Sequence, residues 1–312
     1  MKRDTSARAR DIHEWRSRLS KFSSRPHIPG RYFIARELPS SLMTKFRTVD
    51  LDSDHSIKIF GERIILMGKD EGISRDLMLF GIHEPLTTNV LRSFLRRDMV
   101  CMEIGANIGY YLLLEASIIG PKGRIIAIEP APRTFEYLRR TVSMNQLNNV
   151  DIYQCAIGNA DGTIDFVVGK FSNLNHVLSD NEKREGADVI SLPSKKLGTF
   201  VEETGVKRLD LLRMDVEGYE SAIVSGGLAS IRRLRPSILM EVHVSASHSK
   251  TSGMLQDLRE MGYQMRCCIP RDWDLPLVRR FYHPSWRIDI SSFIRRVERN
   301  QMPFSYNVFL EA

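Results

Sequence analysis

From residue 98 onward, short apolar segments alternate with amphipathic segments, and this alternation constrains the fold more than any other feature of the chain. The apolar segments have the length of strands, and the amphipathic ones have the period of helices. Strands that alternate with helices form parallel β-α-β units and a doubly wound α/β sheet. The predicted strands are 100–104, 124–128, 150–156, 209–214, 237–242, 263–269 and 306–310. The predicted helices between them are 108–118, 133–145, 219–234 and one that ends near Met261.

Additional segments surround this pattern and suggest how the chain is organised. A basic arm is expected at 1–45, with a short helix at 11–22, and a small β/α extension at 46–97. The main domain is expected at 98–312, with insertions at 163–192 and 270–303. The first insertion carries two short strands, 163–168 and 188–192, that predict a β-ribbon. In the extension, the predicted strands are 46–49, 57–60 and 64–67, and the predicted helices are 76–80 and 86–95.

The positive charge is concentrated at the N-terminus. Residues 1–50 contain 12 Lys or Arg and 5 Asp or Glu, so the other 262 residues contain 33 of each sign and the whole net charge of +7 lies in the arm. Such an arm can contact nucleic acid, an anionic membrane or an acidic substrate. Composition favours a solvated extension, because an enzyme for nucleic acid usually carries its basic face near its active site.

Composition also indicates a cellular location. No apolar run reaches the roughly 18 residues of a membrane span, and the N-terminus lacks the apolar segment of a secretory signal, so we expect a cytoplasmic protein. The four cysteines show neither a CxxC pair nor the spacing of a zinc site, which predicts reduced core residues.

A glycine-containing turn, EIGANIG at 103–109, follows the first predicted strand. Gly105 and Gly109 lie where a doubly wound sheet binds ligands, at the end of a strand and the start of a helix. Their GxxxG spacing differs from the GxGxxG pattern that binds a dinucleotide pyrophosphate. Glu103 would repel a pyrophosphate and suits a cationic amino acid group. The turn therefore favours S-adenosylmethionine over a nicotinamide dinucleotide.

Acidic residues follow two further strands. Glu129 ends the second strand, about 20 residues beyond the turn, where a carboxylate accepts the hydroxyls of an adenosine ribose. Asp215 ends the fourth strand, so its carboxylate is expected in the cleft. Glu217 follows at the start of a helix, where it can act in the cleft or cap the helix.

The fifth strand carries Glu241 and His243 on one face and Val242 on the other. Two titratable residues on one face of a buried strand are expected to be paired. His243 is a candidate base, because an imidazole accepts a proton near neutral pH. Asp215, Glu241 and His243 can also be read as a cation site of oxygen and nitrogen ligands, although their spacing does not require a metal.

Four motifs in this order resemble the FkbM-type methyltransferases, and the resemblance covers roughly residues 70–245. The motifs are MEIGANIGYY at 102–111, AIEP at 127–130, DLLRMDVEGYE at 210–220 and MEVH at 240–243, preceded by GIHEP at 81–85. The resemblance implies a class I methyltransferase fold, which is a Rossmann-like doubly wound sheet with an antiparallel last strand. It also implies S-adenosyl-L-methionine as the methyl donor and transfer to a hydroxyl oxygen.

The family's functional residues can be carried over position by position. The resemblance implies that five residues hold the donor, namely Glu103, Gly105, Asn107, Gly109 and Glu129, and that Asp215 lies beside the transferred methyl group. Glu84 of the glutamate-proline element and Ala156 after the third strand are also expected at the cofactor. Relatives commonly carry an acidic residue near Asn159, and this chain does not.

We therefore expect an enzyme that methylates a hydroxyl of a small molecule or a glycan, with His243 or Asp215 as the base and the other orienting the acceptor. Trp273, in the second insertion, either stacks on a sugar or packs this segment onto the body. The alternatives are a cofactor-binding module without catalysis and a nucleic-acid methyltransferase that uses the basic arm.

Overall fold

The computed structural model describes residues 51–178, 188–243, 248–270, 288–299, 301 and 305–312. The strands are β1 (His55–Ile59), β2 (Glu62–Leu66), β3 (Val100–Ile104), β4 (Arg124–Ile128), β5 (Val150–Tyr153), β6 (Ala156–Gly158), β7 (Gly162–Val167), β8 (His176–Val177), β9 (Val189–Lys196), β10 (Leu211–Met214), β11 (Ser237–His243), β12 (Gln264–Pro270) and β13 (Ser305–Glu311). The helices are α1 (Ile73–Phe80), α2 (Pro85–Phe94), α3 (Tyr110–Ile119), α4 (Pro132–Met144), α5 (Leu197–Glu203), α6 (Glu220–Leu234), α7 (His248–Glu260) and α8 (Ile290–Glu298).

Seven strands form the central sheet, in the order β12-β13-β11-β10-β3-β4-β5. The strands from β11 to β5 in this order are parallel, and β13 runs antiparallel to both β11 and β12. This confirms the expected class I methyltransferase fold with its antiparallel last strand. The order of the strands reverses between β3 and β10: β4 and β5 extend the sheet beyond β3, whereas β11 extends it beyond β10 in the opposite direction. A crevice therefore lies beyond the carboxyl ends of β3 and β10.

Alternation along the strands separates two apolar cores. On β3, Cys101 packs with the hairpin β1–β2 and helices α1 to α4, whereas Met102 packs on the opposite face with α5 to α8. The N-terminal extension therefore shares a core with one face of the sheet. Glu103 of β3 and Arg213 of β10 are register partners and belong, by the same alternation, to the face of the extension.

The predicted third strand, 150–156, is wrong as one element. The chain leaves the central sheet after Tyr153, and β6 pairs instead with β9 in a second sheet of order β6-β9-β7-β8. Helix α6 packs directly on β6, since a Cβ on Gly226 would lie 2.0 Å from the Gly158 oxygen. Apolar periodicity shows that a residue is buried but not which sheet it joins. The predicted ribbon is present, because β7 and β9 pair antiparallel.

The second insertion contributes helix α8, which the sequence pattern did not predict. The Asp289 side chain caps it by accepting a hydrogen bond of 2.9 Å from the Ser292 N–H. Phe293 and Val297 are buried in the core against α7 and β13. The expectations for Trp273, for the strand at 46–49 and for the helix at 11–22 lie outside the described residues.

No described helix is both long and apolar enough to cross a membrane. The four cysteines are free thiols and all are buried, as predicted.

Candidate functional site

The turn after β3 is built from left-handed backbone conformations. The φ angles are 85° at Gly105, 50° at Asn107 and 95° at Gly109. A Cβ on Gly105 would lie 2.0 Å from the backbone oxygen of Asp215, so only glycine fits where the ends of β3 and β10 meet. The Asn107 side chain supports its own strained turn, because Oδ1 accepts a hydrogen bond of 2.8 Å from the Ile108 N–H.

The Glu129 carboxylate is tied to this turn. It accepts 2.9 Å hydrogen bonds from the backbone N–H groups of Asn107 and Ala131, one on each oxygen. Burial raises the pKa of Glu129 to about 7; the two N–H groups oppose this increase and the charge of Asp215 adds to it. Each carboxylate oxygen has a second lone pair, so the group can still accept hydroxyl donors.

A cavity opens at the carboxyl edge of β3, β4 and β10. Its empty volume is about 1120 Å³, open solvent at the mouth included. Five of the predicted site residues line it, namely Gly105, Asn107, Glu129, Ala156 and Asp215. The other five do not, namely Glu84, Glu103, Gly109, Glu241 and His243. The cavity is large enough for a nucleoside cofactor together with an acceptor.

Glu103 contacts a cation of the protein itself. Arg213 donates to Glu103 Oε2 at 3.2 Å and to Asp215 Oδ2 at 2.9 Å. Burial lowers the pKa of Arg213, but the charges of Glu103 and Asp215 outweigh burial, so the guanidinium stays charged. The structure thus differs from the expectation that Glu103 faces the amino acid group of the donor. The sequence signal was available, because an arginine within an apolar strand needs an acidic partner.

Glu84 is linked to the same network through an aromatic ring. The Tyr111 hydroxyl donates to Glu84 Oε2 at 2.8 Å, and the Arg213 guanidinium carbon lies 3.8 Å from the centroid of the Tyr111 ring. Glu84 precedes α2 with a left-handed φ of 39°. In this structure it supports the wall of the cavity and does not line it.

His243 is enclosed by acidic residues. Its Nδ1 lies 3.2 Å from Glu220 Oε1, and its Nε2 lies 3.1 Å from Glu217 Oε2 and 3.4 Å from Glu241 Oε1. Burial lowers the pKa of His243, but Glu217, Glu220 and Glu241 outweigh burial and raise the pKa to about 11. His243 therefore has three carboxylate partners and does not line the cavity, whereas the sequence pointed to it as a candidate base. Glu241 is its buried ionic partner, as the pairing argument predicted, and does not line the cavity.

Glu217 lines the cavity and pairs with His243, so helix capping is not its main role. At the start of α6, the side chain of Glu220 accepts a 3.1 Å hydrogen bond from the backbone N–H of Gly218. Within the described part of the chain, no group of three or more His, Cys, Asp and Glu side chains is arranged to hold a metal ion.

Asp76 and His83 also line the cavity, and the sequence analysis did not single them out. His83 Nδ1 lies 3.0 Å from Asp76 Oδ2, and both side chains are largely buried. His83 belongs to the GIHEP segment, in which the family resemblance pointed to Glu84 only. Its aspartate partner lies seven residues earlier on α1, a spacing that forms no recognisable sequence motif.

A short segment of the ribbon completes the wall. Ser172 donates to Asp70 through both its N–H (2.9 Å) and its hydroxyl (3.1 Å), and its carbonyl accepts from Asn107 Nδ2 at 3.2 Å. Asp70 precedes α1 and also accepts from the Ser74 N–H at 3.1 Å. The N-terminal extension, the ribbon and the glycine turn therefore meet at Ser172.

Several known proteins are similar to this chain. 2-O-methyltransferase NoeI of Sinorhizobium fredii is 25% identical over 182 residues, covering 53% of this chain and 70% of that protein. Methyltransferase 1 of Beauveria bassiana is 26% identical over 146 residues, covering 41% of this chain. The chain spans only 58% of the length of this fungal relative. The crystal structure of Aeropyrum pernix fibrillarin with natively bound S-adenosyl-L-methionine is 15% identical, covers 72% of this chain and 73% of that chain, and has a TM-score of 0.41.

The family of the Methyltransferase FkbM domain matches residues 103–265. This range includes the glycine turn, Glu129, Asp215 and the end of β11. Since the match covers more than half of the 312 residues, the chain belongs to the FkbM family of S-adenosyl-L-methionine-dependent methyltransferases.

Proposed function

We propose that the protein transfers a methyl group to a hydroxyl oxygen of a small molecule or a glycan. The observation that carries this proposal is the position of Asp215. Its carboxylate lines the same cavity as the glycine turn and Glu129, and Arg213 fixes its orientation. The name of NoeI, a 2-O-methyltransferase, supports oxygen as the acceptor atom.

The residues of the cavity suit the methyl donor. Gly105 and Asn107 bring the backbone close to the ligand, and Glu129 offers lone pairs for the two ribose hydroxyls. Ala156 presents a small apolar side chain to an adenine. When bound, S-adenosyl-L-methionine supplies an electrophilic methyl group on a sulfonium.

The protein's contribution to this chemistry is to orient the acceptor and to remove its proton. Asp215 can accept a hydrogen bond from the acceptor hydroxyl, which directs an oxygen lone pair. His243 lies outside the cavity lining, and its carboxylate partners raise its pKa to about 11, which disfavours the neutral form that a base needs. Its ion pair with Glu217 instead supports Glu217 at the cavity wall.

The proposal is tested by measuring S-adenosylhomocysteine production with hydroxyl acceptors of several classes: methyl glycosides, phenols, a glycerolipid and ribonucleosides. RNA is included in the same assay as a nucleic-acid acceptor. We expect turnover with at least one free hydroxyl compound, and mass spectrometry should locate the new methyl group on oxygen. Methylation of RNA alone, or of nitrogen or carbon alone, would overturn the proposal.

A variant pair tests the position of Asp215. Asp215→Asn keeps the shape of the side chain but loses its charge, so we expect kcat to fall by about 10²-fold or more while S-adenosylhomocysteine still binds. Asp257→Asn, at an exposed site on α7, is the control and should retain wild-type turnover. Wild-type turnover by Asp215→Asn would remove Asp215 from the mechanism.

A further inference from the structure

A histidine-carboxylate pair lies in the cavity wall without a role in the chemistry described above. His83 Nδ1 is 3.0 Å from Asp76 Oδ2, and the side chains are 18% and 10% exposed. Both residues line the same cavity as Asp215 and the glycine turn. The pair is thus partly shielded from water and borders the cavity.

The pairing determines which nitrogen of His83 can accept a proton. An ionised carboxylate only accepts hydrogen bonds, so Asp76 selects the tautomer in which Nδ1 carries the hydrogen. Nε2 then keeps its lone pair. A histidine oriented by a carboxylate in this way is the recurrent arrangement of a general base.

The backbone of His83 is fixed to the helix that begins at the glycine turn. The Tyr110 hydroxyl donates to the His83 carbonyl at 3.0 Å, and the His83 N–H donates back to this hydroxyl at 3.3 Å. Thr88 Oγ1 donates to the same carbonyl at 2.8 Å. Burial raises the pKa of Tyr110 to about 12, so its hydroxyl stays neutral. The imidazole is therefore held in a defined position relative to the turn that binds the donor.

We propose that His83 is the base that accepts the proton of the acceptor hydroxyl and that Asp76 is its positioning residue. This inference rests on the proposed O-methyltransferase function. The O–H bond breaks as the proton moves to Nε2, and an oxygen lone pair forms the new bond to the methyl carbon. The carbon–sulfur bond of the donor breaks with its electron pair left on sulfur. The products are a methyl ether, S-adenosylhomocysteine and an imidazolium that returns its proton to solvent.

Charged groups from several elements line the same cavity as His83 and Asp76. They include Glu71 before α1, Glu129 after β4, Arg213 on β10, and Asp215 and Glu217 after β10. Glu84 is adjacent in sequence and accepts from Tyr111. The Arg213 charge is balanced by Glu103 and Asp215, so this cation is already paired within the protein.

The first test needs no acceptor. In protein labelled with ¹⁵N-histidine and saturated with S-adenosylhomocysteine, we expect the neutral imidazole of His83 to carry its hydrogen on Nδ1. Assignment comes from the His83→Gln spectrum. A neutral tautomer with hydrogen on Nε2 would overturn the inference whatever the acceptor is.

The second test uses the hydroxyl compound that the wild type methylates best in the panel above. His83→Gln should lower kcat by about 10²- to 10⁴-fold and leave the affinity for S-adenosylhomocysteine unchanged. Asp76→Asn should also lower kcat, because its amide can donate to Nδ1 and favour the wrong tautomer. His55→Gln, on β1 outside the cavity, is the matched control.

The two failures can be told apart. If the wild type methylates a hydroxyl and His83→Gln retains the wild-type kcat, the role of His83 is wrong and the proposed function stands. If the wild type methylates no hydroxyl, the proposed function fails, and the base role of His83 fails with it.

Discussion

The guanidinium of Arg213 stacks on the ring of Tyr111, with 3.8 Å between the guanidinium carbon and the ring centroid. The same guanidinium contacts Glu103 and Asp215 with separate nitrogens. A planar fork can make all three contacts at once, and a point charge cannot. The geometry of Arg213, in addition to its charge, therefore orients Asp215.

Replacing Arg213 with lysine tests this geometry. We expect Arg213→Lys to fold and to lose about 1.5–3 kcal/mol of unfolding free energy, because a charged hydrogen bond is lost. We also expect kcat to fall by a larger factor than the factor by which KM changes. Urea unfolding and steady-state kinetics measure these effects. Arg139→Lys is the control, since Arg139 bonds Glu136 on the exposed face of α4 and such pairs contribute little. Equal effects of the two substitutions would contradict the prediction.

Because the pKa of Glu129 is raised, we expect cofactor binding to depend on pH. Its pKa of about 7 means that the carboxylate becomes ionised as the pH rises through neutrality. Ribose hydroxyls donate to the ionised form better than to the neutral form. The Kd for S-adenosylhomocysteine should therefore decrease between pH 6 and pH 8, as measured by isothermal titration calorimetry.

Glu129→Gln should bind S-adenosylhomocysteine more weakly and with a smaller change over this pH range. Glu136→Gln, at an exposed site on α4, should retain the wild-type pH dependence. A pH dependence in Glu129→Gln equal to that of the wild type would assign the titration to another group.

Because the pKa of His243 is raised, we expect its contribution to stability to decrease as the pH rises. Its folded pKa of about 11 lies above the ordinary value of 6.5. The stabilisation by its ion pairs is therefore complete below pH 6.5 and is lost as the pH rises toward 11. Unfolding free energy should decline more steeply between pH 7 and 9 in the wild type than in His243→Gln.

At pH 7, His243→Gln should be less stable by about 3–5 kcal/mol, because Glu217, Glu220 and Glu241 lose their shared cation. Urea unfolding at several pH values gives both quantities. His55→Gln should change neither. A parallel pH dependence in His243→Gln and the wild type would show that His243 is not the titrating group.

Comparison of Gly105→Ala with Gly205→Ala distinguishes the cost of a steric clash from the cost of backbone strain. Gly105 and Gly205 both have positive φ angles, 85° and 64°. A Cβ on Gly105 would meet the Asp215 oxygen at 2.0 Å, whereas nothing lies within 4 Å of a Cβ on Gly205. Gly205→Ala should cost about 1 kcal/mol of left-handed strain, and Gly105→Ala should lose considerably more and fail to bind S-adenosylhomocysteine. Equal losses would mean that the ends of β3 and β10 can move apart.

The fold was predictable because its signals are local. Strands such as Val100–Ile104 and Arg124–Ile128 are short apolar runs bounded by turn residues, and their predicted bounds agree with the structure. The departure of β6 into a second sheet depends on packing against α6, which is a long-range contact. Periodicity carries no information about such contacts.

The site was predictable only where a motif marks a strand end. Gly105, Glu129 and Asp215 follow β3, β4 and β10, and parallel topology brings them to one edge. For Glu103 the sequence carried only half of the signal: an arginine in an apolar strand requires an acidic partner, but Arg213 lies 110 residues from Glu103 and the pattern does not say which carboxylate it pairs with. The state of His243 likewise depends on Glu217 and Glu220, which approach it from another element.

The junction at Ser172 has a consequence for protein engineering. Asp70 and Asn107 hold this one residue from two separate parts of the chain. A chimera that receives its ribbon from another methyltransferase would lose the attachment to Asp70 unless the loop before α1 is exchanged with it. The ribbon and the loop around Asp70 therefore form a single unit for transplantation, although about 100 residues separate them in the sequence.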